Sequence, residues 1–401
     1  MKLVILDNSL KNKAGHHYEY DSALAKVLSE RGISCEIYSH RDLDKCSNKV
    51  LKSVPLFPKS EYEEYRLFPF RVPYTDFLFG NPSFFRALVR SKIHLGDPDL
   101  VFDHTITPKH LVGLFAWRSL LLRKKETTLV VLLRFDIRNR RDELAYRIVF
   151  LLKKMMPGRV VFATDSDELA ARYSPMVGDI VHVLPIPHVP PVESPKGVPP
   201  ERSSEVVVAI PGVASENKGF HFLPEVVNRF AASGIPIRFV VQAITPKPSQ
   251  VLLHALSRMN TFGNIVRILD KPLSTSEYHD MLLRANCILL PYDPVFYGGQ
   301  TSGVFTDALA VGKVVLATRT SWMERNMKRF DTGVYIEEFS PTGIVEAIKR
   351  YLGNRVLEEE RAGRAIAPWR AYHNPDSFVN HLLRICGIDE PPVWRTGGDT
   401  A

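Results

Sequence analysis

The chain has 401 residues, 45% of them hydrophobic and 24% charged, which excludes a disordered chain and leaves enough apolar mass for two domains. No apolar run is long enough for a membrane-spanning helix, and the N-terminus opens directly into an apolar strand with no basic leader, so neither a transmembrane segment nor a secretory signal is expected. The net charge is +8, and the stretch from Trp117 to Val160 carries twelve Lys/Arg against four Asp/Glu, so that one segment holds the whole excess and marks a surface for anionic lipid or phosphorylated ligands, or a solvated helix face.

In chain order, the first half alternates short β-branched runs ("KLVIL", "SCEIYS", "DLVFD", "TLVVLL", "RVVFA", "DIVHVL") with helical stretches. One of these, 17–31, puts Tyr20, Leu24, Val27 and Leu28 on one face. Continuous apolar strands alternating with helices predict a parallel sheet covered on both sides. Residues 185–204 hold seven prolines and no periodicity, which predicts a linker. The alternation then restarts with "EVVVAI", "IRFVVQ", "IVRIL", "CILLPY" and "VVLAT". The expected fold class is α/β: two Rossmann-like domains facing across a cleft. Residues 1–190 form the first, 191–204 the linker, 205–370 the second, 371–387 a helix crossing back, and 388–401 a flexible tail. The four cysteines, Cys35, Cys46, Cys287 and Cys386, form no Cys-x-x-Cys pair and read as free thiols of a reducing cytosol, with no zinc site expected.

Two segments carry chemistry. "YGGQTSGVFTDALAVGK" (297–313) runs from a loop into a helix, with Thr301 or Ser302 as N-cap. The free N–H groups and dipole of such a helix start attract phosphate, and glycine lets the backbone come close. "AIPGVASENKGFHFLPEVV" (209–227) is again strand, glycine loop and helix, with Gly212 in the loop and Lys218 where the helix begins. Each segment alone is also compatible with a tight turn. Together, at the carboxyl ends of strands in one sheet, they fit a nucleotide site.

The second half resembles the donor-binding domain of GT-B glycosyltransferases, most closely family 4. The resemblance rests on the order of "GVASENKG", "LLRANCILLPY", "TDALAVGKVVLAT" and "DTGVYI" over about 200–385. It implies transfer of a sugar from a nucleotide-sugar donor, retaining and without an obligatory metal or cofactor, to an acceptor such as a lipid-linked sugar or polysaccharide precursor. The donor would be held by Lys218, Gly212, Gly299, Gln300, Thr301, Ser302, Gly303 and Asp307, with Asp307 standing at the family's ribose-binding glutamate. The family's sugar-binding glutamate falls on Gly299, its phosphate-clamping arginine on Val213, and its histidine near the reacting sugar on Phe135 beside Asp136. Arg134 or Arg319 are the candidate replacements for the arginine. His104 and Asp136 are the expected catalytic pair, and Gly15, His16 and His17 the acceptor side. "DSDE" (165–168) reads as a helix cap by Ser166 or Asp167 rather than a metal motif. The alternatives are a nucleotide-sugar epimerase and a non-catalytic binding protein of the same fold. Nucleic-acid binding is set aside because the basic segment lacks interleaved aromatics.

The stretch 139–156 sets Leu144, Ile148, Leu151 and Met155 on one stripe flanked by Arg140, Arg141, Arg147, Lys153 and Lys154. The stripe is expected to pack on its own sheet, while the basic flanks steer the cytoplasmic protein to anionic membrane.

Overall fold

Short runs of Val, Ile and Leu, buried on both faces, pair into two wholly parallel sheets. The computed structural model describes residues 1–13, 16–65, 75–122, 126–189, 205–245, 248–319 and 321–388. Gly15, the side chain of His16, the stretch 190–204 and the tail 389–401 lie outside that description.

The chain forms two compact units, Met1–Val189 with His373–Ala401, and Pro190–Tyr372. In the first unit the strands are β1 (Lys2–Asp7), β2 (Ser34–His40), β3 (Val54–Phe57), β4 (Leu100–Asp103), β5 (Thr128–Leu132), β6 (Val160–Thr164) and β7 (Val181–Val183). They lie in the order β3-β2-β1-β4-β5-β6-β7. The helices between them are α1 (His16–Glu30), α2 (Lys45–Leu51), α3 (Thr75–Ser91), α4 (Pro108–Leu121), α5 (Arg140–Met155) and α6 (Asp167–Val177).

Alternation along β1 sends Val4 and Leu6 to one apolar cluster, with Leu114, Phe115 and Phe150, and Leu3 and Ile5 to another, with Leu24, Val27 and Leu28. The second cluster is completed from the far end of the chain. Phe378, Val379, Leu382 and Leu383 of the last helix are all but fully buried in it, at roughly 1.5–3 kcal/mol each. Arg31 pins that helix through a 2.9 Å bond to Asp376.

The second unit holds β8 (Val206–Ile210), β9 (Ile237–Gln242), β10 (Val266–Leu269), β11 (Cys287–Leu290), β12 (Val314–Thr318) and β13 (Val334–Ile336), in the order β10-β9-β8-β11-β12-β13. Its helices are α7 (Leu223–Ala231), α8 (Gln250–Asn260), α9 (Thr275–Arg284), α10 (Gly303–Ala310), α11 (Ser321–Arg329), α12 (Pro341–Gly353) and α13 (Arg355–Tyr372). The last helix, α14 (Pro375–Ile385), is the one buried in the first unit.

Two differences from the sequence expectations have physical causes. The edge strand β3 contains Pro55, which cannot donate to a ladder, so the sequence reads there as loop. Helix α5 buries Tyr146, Val149 and Phe150 rather than the expected stripe. Leu144, Ile148, Leu151 and Met155 are 50%, 41%, 63% and 78% exposed. The rings decide the face: Tyr146 meets Tyr173 at 5.0 Å and Phe150 meets Phe162 at 5.5 Å between centroids. Among the described residues no helix is long and apolar enough to cross a membrane.

Candidate functional site

In each sheet the chain reverses its direction of strand addition once, between β1 and β4 in the first unit and between β8 and β11 in the second. Ligands of open parallel sheets bind outside the carboxyl ends of strands at such points. The sequence-predicted loops and histidines cluster at these two places.

In the second unit, two residues after β8 stands Gly212 at φ 101°, whose N–H donates to Gln242 Oε1 at 2.6 Å. A single 3₁₀ turn, Glu216–Lys218, follows and closes on Gly219 at φ 66°. A Cβ on Gly219 would lie 2.5 Å from the Pro291 carbonyl oxygen, so only glycine lets this turn press against the end of β11. The Asp293 N–H donates to Asn217 O at 2.8 Å, tying the two loops together.

The side chain of Lys218 folds back over this junction. Its Nζ lies 3.4 Å from where a Cβ of Gly212 would sit, and Val304 Cγ2, in the first turn of α10, is 3.7 Å from the same point. The Tyr292 ring centroid is 5.3 Å from Nζ. Burial pushes the Lys218 ammonium below its ordinary pKa. Ser302 is the N-cap of α10 and accepts from Phe305 N–H at 3.3 Å. Gly303 and Val304 begin the helix, where amides have no intrahelical acceptor. One turn on, Asp307 Oδ2 accepts a 2.7 Å hydrogen bond from the Tyr278 hydroxyl of α9. Gly299 is buried in the connecting loop, and Gln300 and Thr301 are half-buried beside it. Lys218 Nζ, Gly212 and the first turn of α10 therefore meet at one place, an arrangement suited to a phosphorylated ligand.

The two candidate arginines have partners of their own. Arg319 is engaged by Glu337 and Glu324, both at 2.5 Å, and lies over the Tyr335 ring. Arg134 belongs to the first unit, where its Nε donates to Asp165 Oδ2 at 3.0 Å and its guanidinium lies over Tyr20. Val213 is 43% exposed and bridges to Ile244.

In the first unit β1 ends in Asp7, β4 runs into His104, and α1 brings His17 and Asp21 to the same spot. His17 Nδ1 is 2.8 Å from Asp7 Oδ2, and His104 Nε2 is 3.0 Å from Asp21 Oδ1 and 3.4 Å from Asp7 Oδ2. Burial alone would depress His104, but the Asp7 and Asp21 carboxylates outweigh it and hold the imidazolium at about 10. Asp21 is pushed up to about 6 by burial, against the attraction of His104. Asp7 is held well below the carboxylate range because His17 and His104 together overcome its burial. Tyr20 stacks on His104 at 4.4 Å and seals the cluster.

His104, expected as a catalytic residue, is 0% exposed and turns inward to carboxylates; the β1–β4 pairing that places Asp7 beside it lies outside what local sequence can display. His17 remains half-buried, with Nε2 3.3 Å from the Tyr62 hydroxyl. Asp136 lies at the start of the α5 segment, bonded to Arg172 and to its neighbour Ile137 N–H. A cavity of about 550 Å³ opens here, lined by Tyr62, Phe77, Lys109, Phe135, Asp136 and Arg141 among others. Sequence reasoning missed Asp7, Asp21, Tyr62 and Tyr278. A carboxylate closing an apolar strand, as Asp7 closes "KLVIL", was the one available signal.

No protein-family model matches the chain, and no curated protein matches it in sequence. Solved structures do match over nearly its whole length. HepE of Anabaena, solved in complex with UDP, superposes with a TM-score of 0.69 at 15% identity, over 96% of this chain and 100% of that one. Sucrose-phosphate synthase of Thermosynechococcus elongatus gives 0.68 at 14% identity, over 96% and 98%. The catalytic domain of starch synthase IV of Arabidopsis thaliana, bound to ADP and acarbose, gives 0.64 at 12%, over 96% and 99%. The chain has the GT-B fold.

Proposed function

We propose that the protein is a glycosyltransferase that takes a nucleotide-sugar donor in its second unit. The observation that carries this reading is Lys218 Nζ over Gly212 and against the first turn of α10, a cation and backbone donors assembled at the switch point of a parallel sheet. HepE with UDP and starch synthase IV with ADP, on the same fold, support a nucleoside diphosphate as the ligand.

In this reading Lys218 and the amides of Gly303 and Val304 meet the charge that grows on the diphosphate as the sugar leaves. No metal is needed at the diphosphate. Asp307, braced by Tyr278, accepts from the ribose hydroxyls. Gln300, Thr301 and Ser302 stand where the sugar end begins, and transfer retains the anomeric configuration, as the resemblance implies. The first unit receives the acceptor in the cavity beside Tyr62 and Asp136, and His17 Nε2 lies 3.3 Å from the Tyr62 hydroxyl.

A specific observation favours a membrane-borne acceptor. The exposed Leu144, Ile148, Leu151 and Met155 share α5 with Arg140, Arg141, Arg147, Lys153 and Lys154. An apolar stripe edged by cations suits the surface of an anionic bilayer, and with it a lipid-linked acceptor.

Thermal unfolding in the presence of UDP, ADP, GDP and their sugar conjugates tests the donor reading. At least one is expected to raise the midpoint, and Lys218→Ala to weaken its binding about 10–100-fold, the worth of a charge-assisted hydrogen bond. If no nucleotide protects the protein and Lys218→Ala and Asp307→Ala leave all midpoints alike, the reading fails.

A further inference from the structure

Tyr62 is 64% exposed, yet it stands between two residues that are tied down. Glu61 is buried. Its carboxylate accepts from His110 Nδ1 at 2.6 Å and from the Thr107 hydroxyl, and its N–H donates to Ser9 Oγ at 3.1 Å. Glu63 pairs with Lys11 and accepts from the Ser60 N–H at 3.0 Å. Lys109 Nζ spans both, donating to Glu61 O at 2.9 Å and to Glu63 O at 2.7 Å. The ring between them is therefore carried on a fixed backbone, so a ligand that lies on it does not have to order the loop first.

Two rings hold Tyr62 without covering it. Phe135 meets it at 6.1 Å and 76°, and His17 at 5.9 Å and 83°. Both stand nearly perpendicular, and no described aromatic ring lies flat on Tyr62. A single exposed aromatic is ordinary on a protein surface. This one, with Phe135, lines the cavity of about 550 Å³.

The rest of the lining says what kind of molecule the cavity takes. Asp76, Lys109, Asp136, Arg138, Arg141 and Asp142 all border it. An alkyl chain placed there would strip water from these ionised groups and return no hydrogen bonds, which disfavours it. A sugar ring meets both kinds of wall. Its hydroxyls donate to carboxylates and accept from guanidinium and ammonium groups. Its apolar C–H face fits the negative face of an aromatic ring.

We propose that Tyr62, buttressed by Phe135, is the stacking platform for a pyranose ring of the acceptor. The acceptor is then a glycoside whose sugar enters the cavity, while any lipid carrier stays outside it. The proposal rests on the reading of the first unit as the acceptor side and names the class of molecule received there.

The test uses the full chain, with the methyl pyranosides of glucose, galactose, mannose and N-acetylglucosamine as probes in saturation-transfer NMR titrations. At least one is expected to bind, with its ring C–H protons receiving the saturation. Tyr62→Ala is expected to weaken it about tenfold, and Tyr62→Phe and Tyr62→Trp to retain it, because the ring and not the hydroxyl makes the contact. The exposed position predicts an unchanged unfolding midpoint in all three variants. Octyl phosphate, kept below its micelle concentration, is expected not to compete. UDP binding is titrated separately, so pyranoside binding without UDP binding would keep the platform and sink the donor reading. Absence of binding by every pyranoside, or binding that Tyr62→Ala leaves unchanged, would overturn the proposal. Competition by octyl phosphate would overturn it too, by placing an alkyl chain in the cavity. So would a loss in Tyr62→Phe as large as in Tyr62→Ala, which would assign the effect to the hydroxyl and its 3.3 Å contact with His17.

Discussion

The Tyr278 hydroxyl of α9 donates a 2.7 Å hydrogen bond to Oδ2 of Asp307 on α10, fixing the carboxylate one helical turn from the start of that helix. In the proposed reading this bond orients the carboxylate that accepts from the ribose. Tyr278→Phe should therefore weaken UDP about tenfold, near the low end for a hydrogen bond to a charged group. It should leave inorganic pyrophosphate unaffected in calorimetric titration. Equal losses for both ligands would mean that Asp307 does not face the ribose.

Burial depresses the Lys218 pKa, and a bound diphosphate favours its protonated form and raises it again. The sign follows: UDP affinity is level while the free protein holds Lys218 protonated, and falls as pH rises through the depressed value. Lys218→Arg keeps a cation that does not titrate in that range and should flatten the profile. Titrations at several alkaline pH values would read the difference, and a flat wild-type profile would remove Lys218 from the anion site.

Gly219→Ala should cost about 1–3 kcal/mol of stability, because φ 66° strains any other residue and the new Cβ meets the Pro291 carbonyl at 2.5 Å. Denaturant unfolding checks this. Gly234→Ala, at φ 69° but with nothing near its Cβ, carries the strain alone and should cost less.

Leu151→Glu and Met155→Glu place charge on the exposed stripe of α5, where neither side chain is buried. Sedimentation with vesicles rich in phosphatidylserine should fall about tenfold for the pair, with the unfolding midpoint unchanged. Arg147→Glu should act in the same direction and more strongly at low salt, since each basic residue near such a surface is worth about 1 kcal/mol. Vesicle binding that ignores all three substitutions would move the docking face elsewhere.

Local pattern revealed most of the strands, because Leu3 to Leu6 and Leu289 to Leu290 sit in runs too apolar for any place but a covered sheet. It also narrowed the α10 cap to two residues, of which Ser302 is the one that accepts from Phe305. The failures come from longer-range physics. Helix α5 is apolar on two faces, and the rings of Tyr146 and Phe150 select the inner one only through Phe162 and Tyr173 on later elements. His104 was visible as the end of a strand, but its carboxylate partners come from β1 and α1, and strand adjacency alone brings them together.

The burial of α14 in the first unit reaches back to the ribosome. Leu24, Val27 and Leu28 of α1 pack in the same cluster as Phe378, Val379, Leu382 and Leu383, which are translated after all of Pro190–Tyr372. Domains usually fold in the order of their synthesis. Here the first sheet to emerge waits for the last helix, while the second unit has its whole chain in hand earlier. Nascent chains arrested before Phe378 should thus carry a protease-resistant second unit and a first unit with one apolar face still open, a natural target for chaperones.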